Sequence, residues 1–245
     1  MARGEAPPPA AREGGDPLSR RLLSLYRALL AAYGPQGWWP ADSPFEVMVG
    51  AILTQAAAWQ NVERAIGQLK EAGALSPQAI LALPEGELAR LVRPAGYFNA
   101  KARKLKALCA LIVERFGGDL SAMLAHDPQE LRRLLLATYG IGPETADSIL
   151  LYAAGQPYFV VDAYTLRLFR RLGLGPRGDR YQEWQDFFTA HLPRDAALYN
   201  EFHALVVRHS KAVCRQRPRC LDCPVLQMCP TGQGAVSSWP VTAGA

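Results

Sequence analysis

Cys214-x5-Cys220-x2-Cys223-x5-Cys229 gathers four thiols within sixteen residues. Thiolates so crowded hold metal, and four suit either a tetrahedral zinc ion or an iron–sulfur cluster; the spacing alone does not choose. The concentration of four of the five cysteines there fits a reducing compartment better than a disulfide framework. A second constellation is Gly140-Ile141-Gly142-Pro143-Glu144-Thr145-Ala146-Asp147. Two glycines one residue apart allow a tight turn with exposed backbone N–H groups, and Pro143 opens the next helix. Amides at a helix N-terminus form an anion site, for which a DNA phosphate is the natural ligand. About twenty residues on, Asp162 ends the apolar run Phe159-Val160-Val161. A lone carboxylate there can cap the helix Ala163–Leu172 or stabilise positive charge developing on a substrate. Trp38, Trp39, Pro40 and Trp59 add flat aromatic faces that attract cationic rings.

The elements that must position these groups read as helices throughout. Leu18, Leu22, Leu25, Leu29 and Tyr33 recur at spacings of three and four, and Gly34-Pro35 ends that helix. Pro44 to Leu53 forms a second, apolar helix. Ser76-Pro77 and Asp127-Pro128 are N-cap and N1 pairs, the latter with Glu130 as capping-box partner. Leu105, Leu108, Ile112 and Phe116 mark another face, stopped by Gly117-Gly118; Cys109 on that face reads as a buried apolar residue. No stretch alternates strictly between apolar and polar, and Phe159-Val160-Val161 is too short for a strand. The predicted class is all-α.

Composition narrows the partners. The 245 residues are 49% hydrophobic and 20% charged, as in a soluble globular protein. No apolar run approaches the ~18–20 residues needed to span a bilayer. Met1 to Pro17 has no apolar h-region and reads as a flexible tail rather than a signal peptide. A cytoplasmic, nucleoid-associated location is expected. Lys+Arg number 27 against 22 Asp+Glu, and the net charge of +5 is compatible with nucleic acid.

From Pro44 to Cys229 the chain resembles the helix-hairpin-helix DNA glycosylases of the endonuclease III superfamily. The likeness rests on Gly140 to Ala146 as the hairpin, Val161-Asp162, Leu53-Thr54-Gln55, Gly96-Tyr97-Phe98-Asn99 and the terminal cysteines, in that family's order. It implies two helical domains flanking a DNA cleft. Residues 36–155 would form a six-helix barrel carrying the hairpin, inserted into a terminal domain of 18–35 plus 156–230, with 231–245 a second flexible tail. The resemblance makes Asp162 the catalytic carboxylate and Gly140, Ile141, Gly142 and Thr145 the DNA grip. Gln55 would fill the space left by a flipped-out base, and Tyr97 would wedge into the opposite strand. It also favours a [4Fe–4S] cluster on Cys214, Cys220, Cys223 and Cys229, with zinc the alternative. The first gap is five residues where the family usually has six. Arg215, Arg217 and Arg219 in that gap are expected to meet phosphate.

Glu144 stands where bifunctional members carry the lysine that forms a Schiff base with the sugar. The resemblance therefore implies a monofunctional enzyme. Trp38-Trp39-Pro40, Val92 to Tyr97 and Glu144-x-x-Asp147 resemble the 3-methyladenine branch, in which Trp38, Trp39, Pro40, Trp59, Glu144 and Lys211 would line the base pocket. Alkylated purines that carry positive charge suit indole faces and leave readily, so they need no lysine. The expected substrate is double-stranded DNA with an alkylated purine, bound by a monomer. The alternatives are an endonuclease III-type glycosylase/lyase for oxidised pyrimidines and a catalytically silent DNA-binding protein.

Overall fold

The computed structural model describes residues 16–237. Among them are thirteen α-helices, a few short 3₁₀ turns and one π-helical turn, with no strand. In chain order they are α1 (Pro17–Tyr33), α2 (Pro44–Leu53), α3 (Trp59–Glu71), α4 (Pro77–Ala82), α5 (Glu85–Leu91) and α6 (Phe98–Phe116). Then come α7 (Leu120–Leu124), α8 (Pro128–Ala137), α9 (Pro143–Ser148), α10 (Ala163–Arg171), α11 (Tyr181–His191), α12 (Ala196–Ala212) and α13 (Pro230–Ser237). The π turn Ile149–Ala153 continues α9.

Caps place the helix starts. Side chains of Ser43, Ser76, Asp119, Asp127 and Asp195 accept from first-turn amides, each worth ~1 kcal/mol. Asp127 caps α8 as expected, but the Glu130 carboxylate takes the Arg133 guanidinium instead of closing a capping box. Asp16 caps α1, so the first described residues already lie inside the segment expected as a tail; Met1 to Gly15 lie outside the described residues. At the other end, Pro230 to Ser237 are helical rather than tail, and residues 238–245 lie outside.

The helices bury two separate cores. Helix α2 is apolar nearly all round, and every residue from Phe45 to Leu53 is buried, so it must be central. Apolar faces from α3 to α9 close over it, ending at Ile149 and Leu150. The second core begins one residue later, at Leu151. It joins Phe159, Val160 and Val161, the Leu168, Trp184 and Phe202 faces of α10, α11 and α12, and the Leu22, Leu25 and Leu29 stripe of α1. Phe159 to Val161 is thus a buried irregular segment, as its brevity suggested.

A polar clamp ties the two halves. Asp147 on α9 is fully buried and takes a two-point bond from Arg132 on α8, at 2.7 and 3.1 Å, and a 2.6 Å bond from Gln185 on α11. Both oxygens of that carboxylate are held by the clamp.

Candidate active site

Asp162 divides its two oxygens between two roles. Oδ1 caps α10, accepting from the Thr165 amide at 2.7 Å and the Thr165 hydroxyl at 2.8 Å. Oδ2 lies 3.6 Å from His203 Nε2 on α12. That is an electrostatic contact rather than a hydrogen bond. Burial raises the cost of charging Asp162, but His203 and the Thr165 bonds outweigh it and hold the carboxyl below its usual range. The group is therefore a permanent anion at neutral pH. Capping therefore engages one oxygen and leaves the other without a hydrogen bond.

Glu144 stands at the first turn of α9, open to solvent but flanked by protein. Desolvation, and then the Asp162 charge, raise its pKa. Two carboxylates whose surroundings push them apart in acidity are a common arrangement for acid and base work. Asp147, the other acid in Glu144-x-x-Asp147, is unavailable because the Arg132–Gln185 clamp consumes it.

The tryptophans do gather. Trp38 and Trp59 rings lie 4.8 Å apart, Trp38 and Trp39 4.9 Å, and Trp39 and Trp59 5.5 Å. Trp39 also meets Tyr152 on the π turn at 5.3 Å. The Trp39 indole presses on α2 at Gly50, where an added Cβ would come within 2.9 Å of Cζ2. Only glycine lets the ring lie that close. Pro40 beside them is exposed. Lys211 sits elsewhere: its ammonium lies over the Tyr164 ring of α10, 5.8 Å from the centroid, rather than against the tryptophans.

The hairpin is held from behind. Gly140 has φ +77°, and the stem of Lys104 fills the place a Cβ would need. Gln55 donates to Gly140 O at 3.1 Å and Thr145 Oγ1 at 3.0 Å, and accepts from Lys104 Nζ at 2.5 Å. Gln55 thus braces the hairpin; entering a vacated base stack would require exchanging these bonds. Ile141 and Thr145 are buried, and the Ile141 amide is spent on Thr138 O at 3.1 Å. The buried side chains of both residues hold the turn from the core side, which leaves the hairpin's outer backbone as the part that could meet DNA. Gly140 and Gly142 remain on the surface side. Tyr97 is 75% exposed in the left-handed region, at φ +45°, immediately before α6. Tyr139 is exposed as well. A strained, projecting aromatic of this kind is the geometry a wedge requires.

Lysine 101 was missed. It is 1% exposed, and Nζ donates to Leu53 O at 2.9 Å and Ala95 O at 2.7 Å, tying the end of α2 to the turn before Tyr97. Burial, with Lys104 nearby, lowers its pKa to about 8. Nothing in a sequence separates such a lysine from a solvated one. His203 and Tyr152 were missed too, although His203 stands on the α12 face between Phe202 and Leu205.

The four terminal cysteines line one small cavity with Leu168, Leu172, His209 and Val225. Among the described residues, no set of His, Cys, Asp or Glu is arranged to hold a single metal ion. Donors nevertheless point at the sulfurs: Arg171 reaches Cys214 Sγ at 3.2 Å, and the Gly232 amide of α13 reaches Cys229 Sγ at 3.3 Å. Such N–H···S contacts suit thiolates. Arg215, Arg217 and Arg219 are exposed around the loop; Arg219 is paired with Asp222 at 2.7 Å and Arg215 bonds Lys211 O. A separate open cavity of about 720 Å³, lined by Arg64, Gln68, Arg90 and Arg93, contains none of the Asp162 group.

A glycine hairpin braced by Gln55 and an aspartate with one oxygen in a helix cap thus sit in an all-helical, two-core frame. The profile of the HhH-GPD superfamily base excision DNA repair proteins matches residues 49–193, and the chain belongs to that superfamily. It is a DNA glycosylase of base excision repair. A candidate DNA repair glycosylase of Methanocaldococcus jannaschii is 46% identical over 209 residues, covering 85% of this chain and 95% of its own. The endonuclease III–DNA covalent intermediate shares the fold, with a TM-score of 0.77 at 23% identity, over 89% of this chain and 98% of that one. The Helicobacter pylori 3-methyladenine DNA glycosylase bound to 1,N6-ethenoadenine is 30% identical, with a TM-score of 0.65 over 79% and 95% of the two chains.

Proposed function

We propose that this glycosylase is monofunctional and releases alkylated purines, N3-methyladenine foremost, from double-stranded DNA, acting as a monomer. One observation carries the reading: the position of the Schiff-base lysine is Glu144, while Asp162 keeps one anionic oxygen uncommitted. Lys101 does not replace the missing amine, because it is buried with two carbonyls on Nζ. Water attacks C1′ and loses its proton toward Asp162. The base leaves with the electron pair of the glycosidic bond, and Asp162 offsets the positive charge on the sugar. A purine that is already cationic leaves readily, so one carboxylate suffices. The Trp38–Trp39–Trp59 group supplies indole faces worth ~0.5–2 kcal/mol for such a ring. The likeness to the 3-methyladenine enzyme supports the choice.

The test is chromatography of free bases released from methylated and from oxidised DNA, run alongside borohydride trapping. N3-methyladenine should dominate, abasic sites should stay uncleaved and no covalent adduct should form. Thymine glycol as best substrate, with a trapped adduct, would replace this reading with the endonuclease III-type one. No release from any DNA would favour the silent binding protein.

Cys214, Cys220, Cys223 and Cys229 are proposed to hold a [4Fe–4S] cluster, since the four thiols line one cavity and N–H donors from Arg171 and Gly232 reach two of the sulfurs. When bound, the cluster supplies a local core to a loop with few apolar residues of its own. The purified protein should be straw-brown and contain about four irons per chain. One zinc and no iron would overturn the assignment.

A further inference from the structure

We propose that His203, oriented by Tyr152, is the positioning residue that keeps Asp162 an anion aimed at the sugar. This inference rests on the reading of Asp162 as the catalytic carboxylate. His203 is 7% exposed, and its Nε2 is buried without a hydrogen-bond partner, 3.6 Å from Asp162 Oδ2. On the other side of the ring, Nδ1 lies 2.5 Å from the Tyr152 hydroxyl.

Electrostatics selects the tautomer. If Nδ1 carried the proton, the bare lone pair of Nε2 would face the Asp162 anion. If Tyr152 donates to Nδ1, the ring proton sits on Nε2, the nitrogen that faces Oδ2. Burial keeps the Tyr152 phenol protonated, raising its pKa well above the ordinary value, so it remains a donor. The chain Tyr152 O–H to His203 Nδ1, His203 Nε2–H toward Asp162 Oδ2, therefore runs in one direction. Because Oδ1 is tied to Thr165, His203 acts on the oxygen that is left for chemistry.

The fixed surroundings make this interaction count. Besides His203 from α12, the ionisable groups around Asp162 are Glu144 on α9, whose charge opposes its own, and Tyr152 on the π turn. Glu201 on α12 acts on Tyr152, and Tyr181 on α11 bonds the Val161 amide at 3.4 Å. Among these, His203 is the group that favours the Asp162 anion. Removing it leaves desolvation and Glu144 unopposed except by the Thr165 cap.

The sign follows. A carboxyl held below its usual range stays ionised as pH falls; without His203 it protonates at higher pH, so activity fails first on the acid side. The experiment titrates the Asp162 side-chain carbon by ¹³C NMR in aspartate-labelled full-length protein, with Asp162→Asn giving the assignment. A Glu144→Gln background removes the neighbouring titration. In His203→Leu the midpoint should rise by about one pH unit or more. The acid limb of single-turnover base release should rise with it, while duplex affinity stays within about threefold. His203→Gln keeps a donor near Nε2 and should remain close to the parent. Tyr152→Phe should move the midpoint in the same direction as His203→Leu but less, and it reports even if His203→Leu does not fold.

Unchanged Asp162 titration in folded His203→Leu, or in Tyr152→Phe, would overturn the proposal. So would a His203→Gln protein as impaired as the leucine variant. The NMR readout needs no substrate: a shifted midpoint in an enzyme that releases no methylated base sustains the positioning role and overturns the proposed substrate instead.

Discussion

Asp162→Asn is expected to lower single-turnover base release by ~10²–10⁴-fold, about 3–5 kcal/mol of transition-state stabilisation, while duplex affinity changes no more than a few-fold. The asparagine keeps an oxygen for the Thr165 amide, so α10 retains its cap. The hairpin contacts of Gln55, Gly140 and Thr145 lie in the other half of the molecule and are untouched. What disappears is the negative charge on the uncommitted oxygen. Release within tenfold of wild type would shift catalysis to Glu144. It would not shift to Asp147, which is fully buried with both oxygens held by Arg132 and Gln185.

The second large effect is on stability. Asp147→Ala should destabilise the fold by ~3–5 kcal/mol, because it strands the Arg132 guanidinium among protein groups and unpairs Gln185. For a chain of this size that is roughly 10 °C in thermal midpoint. Circular dichroism during heating and urea titration both report it. The double change Asp147→Leu with Arg132→Met should recover most of the loss, since an apolar pair of similar volume leaves no orphaned charge. A loss under 1 kcal/mol in Asp147→Ala would mean that water enters the clamp and solvates Arg132.

Most of the frame could be read from residue order. The spacing of Leu22, Leu25 and Leu29, the Ser-Pro and Asp-Pro starts and the Gly117-Gly118 stop are local signals, and local rules produce the helices they mark. Asp162 was legible for the same reason: a cap position is a local property, and the hairpin upstream singled it out. Long-range polar pairing was not legible. The Lys101 amine meets Leu53 O and Ala95 O across the fold, and Asp147 meets Gln185 from α11; neither partner is marked by period or motif. His203 belongs to the same class, hidden within an apolar face. Nor were the hairpin's internal contacts legible: Ile141 and Thr145 are buried, and Gln55 bonds Gly140 O and Thr145 Oγ1 across the fold, pairings that no local signal marks.

The division into two cores sets an order of assembly on the ribosome. The buried residues of the first core all lie between Phe45 and Leu150, so it can close once that stretch has emerged. The stripe of α1 cannot close with it. Leu22, Leu25 and Leu29 are synthesised first but wait for Phe159, Trp184 and Phe202, and their core is finished only at Cys229. During translation the nascent chain therefore carries a folded central lobe with an uncovered amphipathic helix ahead of it, and that helix is the segment chaperones are expected to engage.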